Sequence, residues 1–449
     1  MTRTLIFCRS IVTMDSRRRI IRDGALLVDD GRIEQVLERD ALDRFGAFDG
    51  EVVNARELVA IPGFVQTHIH LCQTLFRGLA DDLELLDWLR TRIFPFEAAH
   101  SALSMYASAR LGIAELIRSG TTTIMDMGSI HHEEEIFRAV EESGIRAFIG
   151  KAMMDINETF PSLRESTADA LASTVRQAEA WHRASGGRIR YAVAPRFVLS
   201  CSEGLLKEAH AITRSMPGVL FHTHVAENRT EVEHVRARCG AGNVEYLDRI
   251  GVLDRSSCLA HCIWLDGGEM NLLAGRRAKV LHCPTSNLKL GSGIAPVPEL
   301  LRKGITVSLG ADGAPCNNTL DIFQEMRHAA LIQRPSHGAS SMSAATVFEL
   351  ATLGGAATLG LEEEVGSLEA GKRADIVLLD LRQLHNPSAE TANNTYSSIV
   401  YSGSPSNVRS VMVDGRWLFR NGTLLSFDEQ EVLRTGRTEA ETLLKRIDA

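Results

Sequence analysis

The sequence predicts an α/β fold: a (β/α)8 TIM-type barrel carrying a small β-sandwich domain built from both chain ends. Three observations predict it. Between about residues 58 and 312, eight apolar runs of strand length alternate with amphipathic helical segments, the pattern of parallel β–α units. Residues 1–57 lack a 3.6-residue period and read as short strands joined by turns, and a strand pattern returns after about residue 364. The 449 residues accommodate a barrel of about 250 residues plus a smaller domain. The expected boundaries are 1–60 for the first part of the sandwich, 61–364 for the barrel, and 365–449 for the second part with a C-terminal helix.

In chain order, Thr4–Met14 and Gly24–Val28 read as strands. Asp29-Asp30-Gly31 then turns the chain into Arg32–Val36, since Asp-Gly between apolar runs signals a hairpin. The barrel strands follow at Leu58–His70, Thr121–Met127, Arg146–Met153, Arg188–Arg196, Gly218–Glu227, Ser257–Cys262, Ala278–Pro284 and Ile305–Asp312. Helical segments such as Ser104–Ser119 and Glu135–Ser143 end at Gly120 and Gly144, the usual residue just past a helix. The longest excursion, Cys72 to about His100 with Trp88 inside it, is where a substrate lid is expected. After residue 364 strands return at Ile376–Leu381, Val408–Val413 and Arg416–Phe419, and Glu429–Arg446 reads as a surface helix.

Composition narrows the function. A formal charge of −8 without a long basic block argues against nucleic acid and anionic membranes as partners. No apolar run approaches the ~18 residues of a membrane span. Eight cysteines without paired spacing, behind an N-terminus that does not read as a signal peptide, are expected to be reduced thiols of a cytoplasmic protein.

Active sites of such barrels lie at the C-terminal ends of the strands. Titratable side chains end at least five of them: His68 and His70; Arg196; His222, His224 and Glu227; His261; and Asp312. His68 and His70, spaced i, i+2, share one face of their strand. Three imidazoles and a carboxylate suit zinc, or ferrous iron, as one divalent ion per chain. Such an ion would lower the pKa of water towards about 7. Glu227 and His261 remain as proton shuttle and electrostatic stabiliser, so the set implies a hydrolase acting on an sp² carbon. No G-x-S-x-G, G-x-G-x-x-G or P-loop competes with that reading.

The motifs PGFVQTHIH (62–70), HVAE (224–227), AHC (260–262), NLKLGSGIAP (287–296), GADGAPCNN (310–318) and GSLEAGKRADIVLLD (366–380) resemble those of the amidohydrolase superfamily. The resemblance covers essentially the whole chain and points to its one-metal deaminase and chlorohydrolase branch. It implies His68, His70, His224 and Asp312 as metal ligands, Glu227, His261 and Asp312 as catalytic residues, and a homodimer or higher homo-oligomer. It selects His224 over His222, because the family's Glu follows its ligand by three residues; His222 becomes a packing or supporting group.

THIHLCQ (67–73), RAFIGKAMMDINETFP (146–161), APRFVLSCS (194–202) and HVAENRTEVE (224–233) look closest to guanine deaminases. That likeness implies hydrolysis of guanine to xanthine and ammonia. Gln73, Arg196 and Phe197 would hold the purine edge, Arg196 as a fork for a ring carbonyl. Residues 287–334 are nearer to methylthioadenosine/S-adenosylhomocysteine deaminases and triazine hydrolases, and there Asn317-Asn318 departs from the guanine deaminase pattern. Glu97 stands where nucleoside deaminases bind ribose; it could instead bind the imidazole edge of a free base or simply pair with a loop arginine. An adenosine-type nucleoside, a pterin, an oxopurine or a triazine is therefore the rival substrate. A catalytically inactive barrel serving as a binding subunit is the rival outside enzymology.

Overall fold

A computed structural model describes residues 3–42, 48–387 and 394–447. Its centre is a parallel barrel. In order the strands are Phe64–His70, Thr121–Met127, Arg146–Gly150 with Ala152–Met153, Ile189–Pro195, Leu220–Val225, Ser257–His261, Lys279–His282, and a split eighth strand, Val307–Leu309 and Asp312–Gly313. Val307–Leu309 pairs with the seventh strand, and Asp312–Gly313 pairs with the first through Asp312↔Ile69 and Gly313↔His70, which closes the barrel. The split falls at Gly310, where a Cβ would lie 2.6 Å from the His68 carbonyl oxygen. Only glycine lets the two backbones approach so closely.

The barrel interior has two levels. Towards the N-terminal ends of the strands, Val65, Met125, Phe148, Ala192, Leu220, Cys258 and Leu281 fill it as a dry apolar layer. Towards the C-terminal ends the inward positions are histidines and carboxylates. The outward residues Ile69, Ile124, Ile149, Val193, Phe221, Leu259 and Val280 belong to the core shared with the surrounding helices.

The chain ends build one nine-stranded sheet. Its order is Thr423–Leu424, Arg416–Arg420, Val408–Val413, Ile376–Leu379, Glu51–Pro62, Thr4–Val12, Ala25–Asp29 and Arg32–Leu37, with Ile20–Arg22 on the side of Thr4–Val12. The two ends meet where Ile376–Leu379 pairs antiparallel with Val59–Pro62. The Asp30-Gly31 turn has φ of 44° and 75°, the left-handed pair that matches the twist of a hairpin.

The apolar run expected to be one strand, Leu58–His70, is two. Residues up to Pro62 belong to the end sheet and Phe64 onward to the barrel. Gly63 is the joint: its N–H donates to the Asp375 carbonyl, and a Cβ there would lie 2.1 Å from Thr122 Oγ1. Continuous apolarity conceals the break because both halves are buried. The helix Glu429–Ile447 packs on Ala102–Arg118. Among the described residues no helix is long and apolar enough to cross a membrane.

Candidate metal centre and substrate pocket

Strand parity and strand-end backbone together deliver the site. His68 and His70 end the first strand, His224 sits near the end of the fifth, His261 ends the sixth, and Asp312 opens the closing piece of the eighth. Ala226, His261 and Asp312 have φ of 50°, 71° and 64°. Such left-handed conformations are uncommon for residues other than glycine and cluster at functional sites.

Each imidazole is fixed through one nitrogen. His70 Nδ1 donates to the Met127 carbonyl at 2.8 Å, and His224 Nδ1 to the Arg196 carbonyl at 2.7 Å. Their Nε2 atoms are then bare lone pairs, and they face each other at 3.3 Å. Two such acceptors cannot hydrogen-bond one another; their convergence fits a cation. His68 Nδ1 is 2.8 Å from His222 Nε2, so His222 backs His68 rather than joining the inner set. His68 Nε2 is buried without a hydrogen-bond partner. Asp312 Oδ1 lies 3.3 Å from His68 Nε2 and 3.4 Å from His70 Nε2. The donor set fits one divalent ion, with each histidine oriented by a partner on its other nitrogen. His68, His70 and Asp312 form one cluster of converging ligand atoms, and His68, His224 and His261 another.

Burial sets the protonation states. It lowers the pKa of His68 and His224, and brings His70 to about 4, so these rings are neutral and free to ligate. Burial would raise Asp312, but the imidazoles of His68, His70 and His261 that face it outweigh burial and hold this carboxyl well below its usual range. Glu227 moves the opposite way: burial, then the neighbouring Asp312 charge, raise its carboxyl well above the usual range. His261 Nδ1 donates to Asn287 Oδ1 at 2.9 Å, which turns its bare Nε2 to Glu227 Oε2 at 3.3 Å. A protonated Glu227 and an accepting His261 complement each other.

The pocket beside this centre is walled by Leu85, Trp88 and Leu89 from the segment after the first strand, and by Gln73, Arg196 and Phe197. Glu97 lies behind them. Its carboxylate accepts from Arg196 Nη1 at 2.6 Å, Arg196 Nη2 at 3.1 Å and Gln73 Nε2 at 2.9 Å. The guanidinium expected to read a ring carbonyl is thus forked onto Glu97, the arginine pairing that the sequence left open for that residue. Gln73 and Trp88 line the pocket, and Gln73 Oε1 and Trp88 Nε1 are buried without hydrogen-bond partners.

Sequence reasoning assigned no role to Trp88, to Asn287, which orients His261, or to Ser286, whose hydroxyl donates to Asp312 Oδ2 at 2.7 Å. Trp88 was legible only as part of the long excursion. Asn287 opens a quoted motif, but nothing local connects it to His261.

A barrel whose C-terminal mouth gathers three imidazoles and a carboxylate beside a buried Glu–His pair is a barrel of the one-metal deaminase and hydrolase kind. The amidohydrolase family model matches residues 59–418, and the chain belongs to that family. It is 41% identical over 425 residues to a 5'-deoxyadenosine deaminase of Methanothermobacter thermautotrophicus, covering 94% of this chain and 95% of the relative. A 5-methylthioadenosine/S-adenosylhomocysteine deaminase of Nitratidesulfovibrio vulgaris is 38% identical over 450 residues, with 99% and 98% covered. Among solved structures, the zinc-bound adenosine deaminase of Xanthomonas campestris superposes with a TM-score of 0.91 at 29% identity over 98% of each chain. The guanine deaminase of E. coli gives 0.85 at 28%, over 93% of this chain and 99% of its own.

Proposed function

We propose that the protein is a metal-dependent aminohydrolase that removes the C6 amino group of an adenosine-type nucleoside altered at its 5' position, releasing ammonia. This replaces guanine, the substrate that the sequence motifs favoured, with the rival they left open. The carrying observation is the Gln73–Glu97–Arg196 cluster: the groups expected to grip the edge of guanine are engaged with one another. The full-length likeness to 5'-deoxyadenosine and methylthioadenosine/S-adenosylhomocysteine deaminases, at 41% and 38% identity, supports the same reading.

An ion held by His68, His70, His224 and Asp312 would supply the Lewis acidity that makes water a nucleophile near neutral pH. The side chains do the rest. Glu227 holds a proton at Oε2 and gives it to the ring nitrogen next to the amino-bearing carbon, which makes that carbon more electrophilic. His261, locked by Asn287, orients the attacking water. Asp312 takes one proton from that water and returns it to the departing amine, and the water's second proton reloads Glu227 as the C6 carbonyl forms. Trp88 Nε1–H and Gln73 Oε1 meet complementary atoms of the substrate, and Phe197 and Leu89 exclude water. Glu97, accepting three N–H bonds, holds Gln73 and Arg196 in place behind the pocket.

The test is ammonia release by zinc-loaded protein from 5'-deoxyadenosine, methylthioadenosine, S-adenosylhomocysteine, adenosine and guanine. The expectation is a kcat/KM for one of the 5'-altered nucleosides at least about 100-fold above guanine, roughly 2.7 kcal/mol of transition-state preference. A preference for guanine would restore the first expectation. No turnover and no bound metal would revive the inactive barrel. Cytoplasmic residence and a homodimer or higher homo-oligomer belong to the same proposal; sedimentation of the purified protein tests the assembly.

A further inference from the structure

The proposed reaction uses neither Asn317 nor Asn318, the pair that sets this chain apart from guanine deaminases, yet the structure gives them different tasks. Ala311, immediately before Asp312, is held on both sides. Its N–H donates to Gln66 Oε1 at 3.0 Å and its carbonyl accepts from Asn317 Nδ2 at 2.7 Å. Asp312 itself has φ of 64°, a conformation that persists only where the surroundings impose it.

Asn317 Nδ2 also donates to Glu325 Oε1 at 2.8 Å. Glu325 is fully buried, and its other oxygen accepts from the Thr285 N–H at 3.2 Å. The next residue, Ser286, donates to Asp312 Oδ2. One buried carboxylate therefore ties the loop after the seventh strand to the loop after the eighth. Each loop holds Asp312, the first by its side chain and the second through the preceding peptide. Burying a carboxylate whose bonding partners are an amide and a backbone N–H costs stability, so its placement calls for a return elsewhere. Asn318 takes no part: its side-chain oxygen accepts from Lys289 Nζ.

We propose that Asn317 and Glu325 are positioning residues that fix the Asp312 carboxylate in the orientation the metal centre requires. The inference rests on Asp312 being a metal ligand. Its test compares zinc-loaded wild type, Asn317→Ala, Glu325→Gln, Asn318→Gly and Asp312→Ala. Zinc loss to a chelator, melting temperature, and kcat and KM on the best nucleoside of the panel are the readouts. Removing groups that orient a ligand typically costs about 10–100-fold. Asn317→Ala is expected to weaken zinc retention and lower kcat by about that factor, with KM within about threefold of wild type. Asn318→Gly is expected to match wild type in all readouts.

Glu325→Gln keeps the volume but turns an amide NH2 towards one of its two donors. It should lose in the same direction, and it decides the matter if Asn317→Ala does not fold. Wild-type zinc retention and kcat in either folded variant overturns the inference. Asp312→Ala separates two failures: if it also keeps zinc, the ligand set is wrong; if it alone loses zinc, only the positioning role is wrong.

Discussion

Glu227 and Asp312 are both carboxylates buried in one cavity, yet their protons are held very differently. Asp312 faces imidazoles and is held ionised, whereas Glu227, buried beside that negative charge, keeps its proton. Such a divergence is how one site runs acid and base steps together. Glu227→Gln retains the shape and cannot cycle a proton, so it is expected to bind zinc as wild type does. Its kcat should fall by about 10²–10⁴-fold, read by metal analysis and single-turnover ammonia release. Undiminished kcat would remove Glu227 from the mechanism. The convergence of candidate ligands was legible in the sequence because histidines and an aspartate recur at strand ends. Parity alone left His222 and His224 equivalent. Hydrogen bonding separates them, since His222 Nε2 backs His68 while His224 turns its own Nε2 inward.

At the scale of elements, the helix Ala102–Arg118 is tied to the pocket by what precedes it. Ser101 caps its first turn, and buried His100 donates through Nε2 to the Cys72 carbonyl at 2.8 Å while Nδ1 meets Ser104 Oγ at 2.9 Å. Burial favours the neutral ring and lowers the His100 pKa to about 4. A base whose folded pKa lies below its unfolded value, about 6.5, binds fewer protons when folded. Its contribution is whole above pH 6.5 and is lost as pH falls towards 4. Replacing His100 by Gln should flatten the pH dependence of unfolding over that window, by on the order of 2–3 kcal/mol at its acid end. Urea midpoints at several pH values measure it, and identical slopes in variant and wild type would refute it. The excursion that carries Trp88 was expected at the barrel mouth from its length and position, and Leu85, Trp88 and Leu89 line the pocket there. That Trp88 lines the pocket could not be read, because nothing within residues 72–100 fixes how the segment folds back.

For the whole molecule, the barrel and the end sheet are joined by a buried ion cluster. Arg146, which opens the third strand at the end of the barrel away from the site, pairs with Asp375 at 3.0 Å and with Asp414 at 2.6 Å. Its side chain and that of Asp375 are each 2% exposed. Breaking such a pair from one side leaves an uncompensated charge and costs about 3–5 kcal/mol. Arg146→Met is therefore expected to lower the melting temperature clearly, while the kcat of the folded protein stays near wild type. A loss of kcat without a loss of stability would place the cluster in the chemistry instead. Removing one acid as well, in Arg146→Met/Asp375→Asn, should recover part of the stability.

The sequence by itself determined the barrel, the joining of the chain ends and the residue types that converge at the mouth. Apolar period, glycine stops and strand-end histidines are local signals, and each repeats along the chain. It did not determine the break at Gly63, the engagement of Arg196 with Glu97, or the brace of Asn317 and Glu325 behind Asp312. Those rest on contacts between segments far apart in the chain: 99 positions separate Arg196 from Glu97. Whether a buried charge meets a substrate or another side chain depends on which group arrives opposite it. Only the closed barrel, by fixing strand register and folding the long excursion over its mouth, makes that choice.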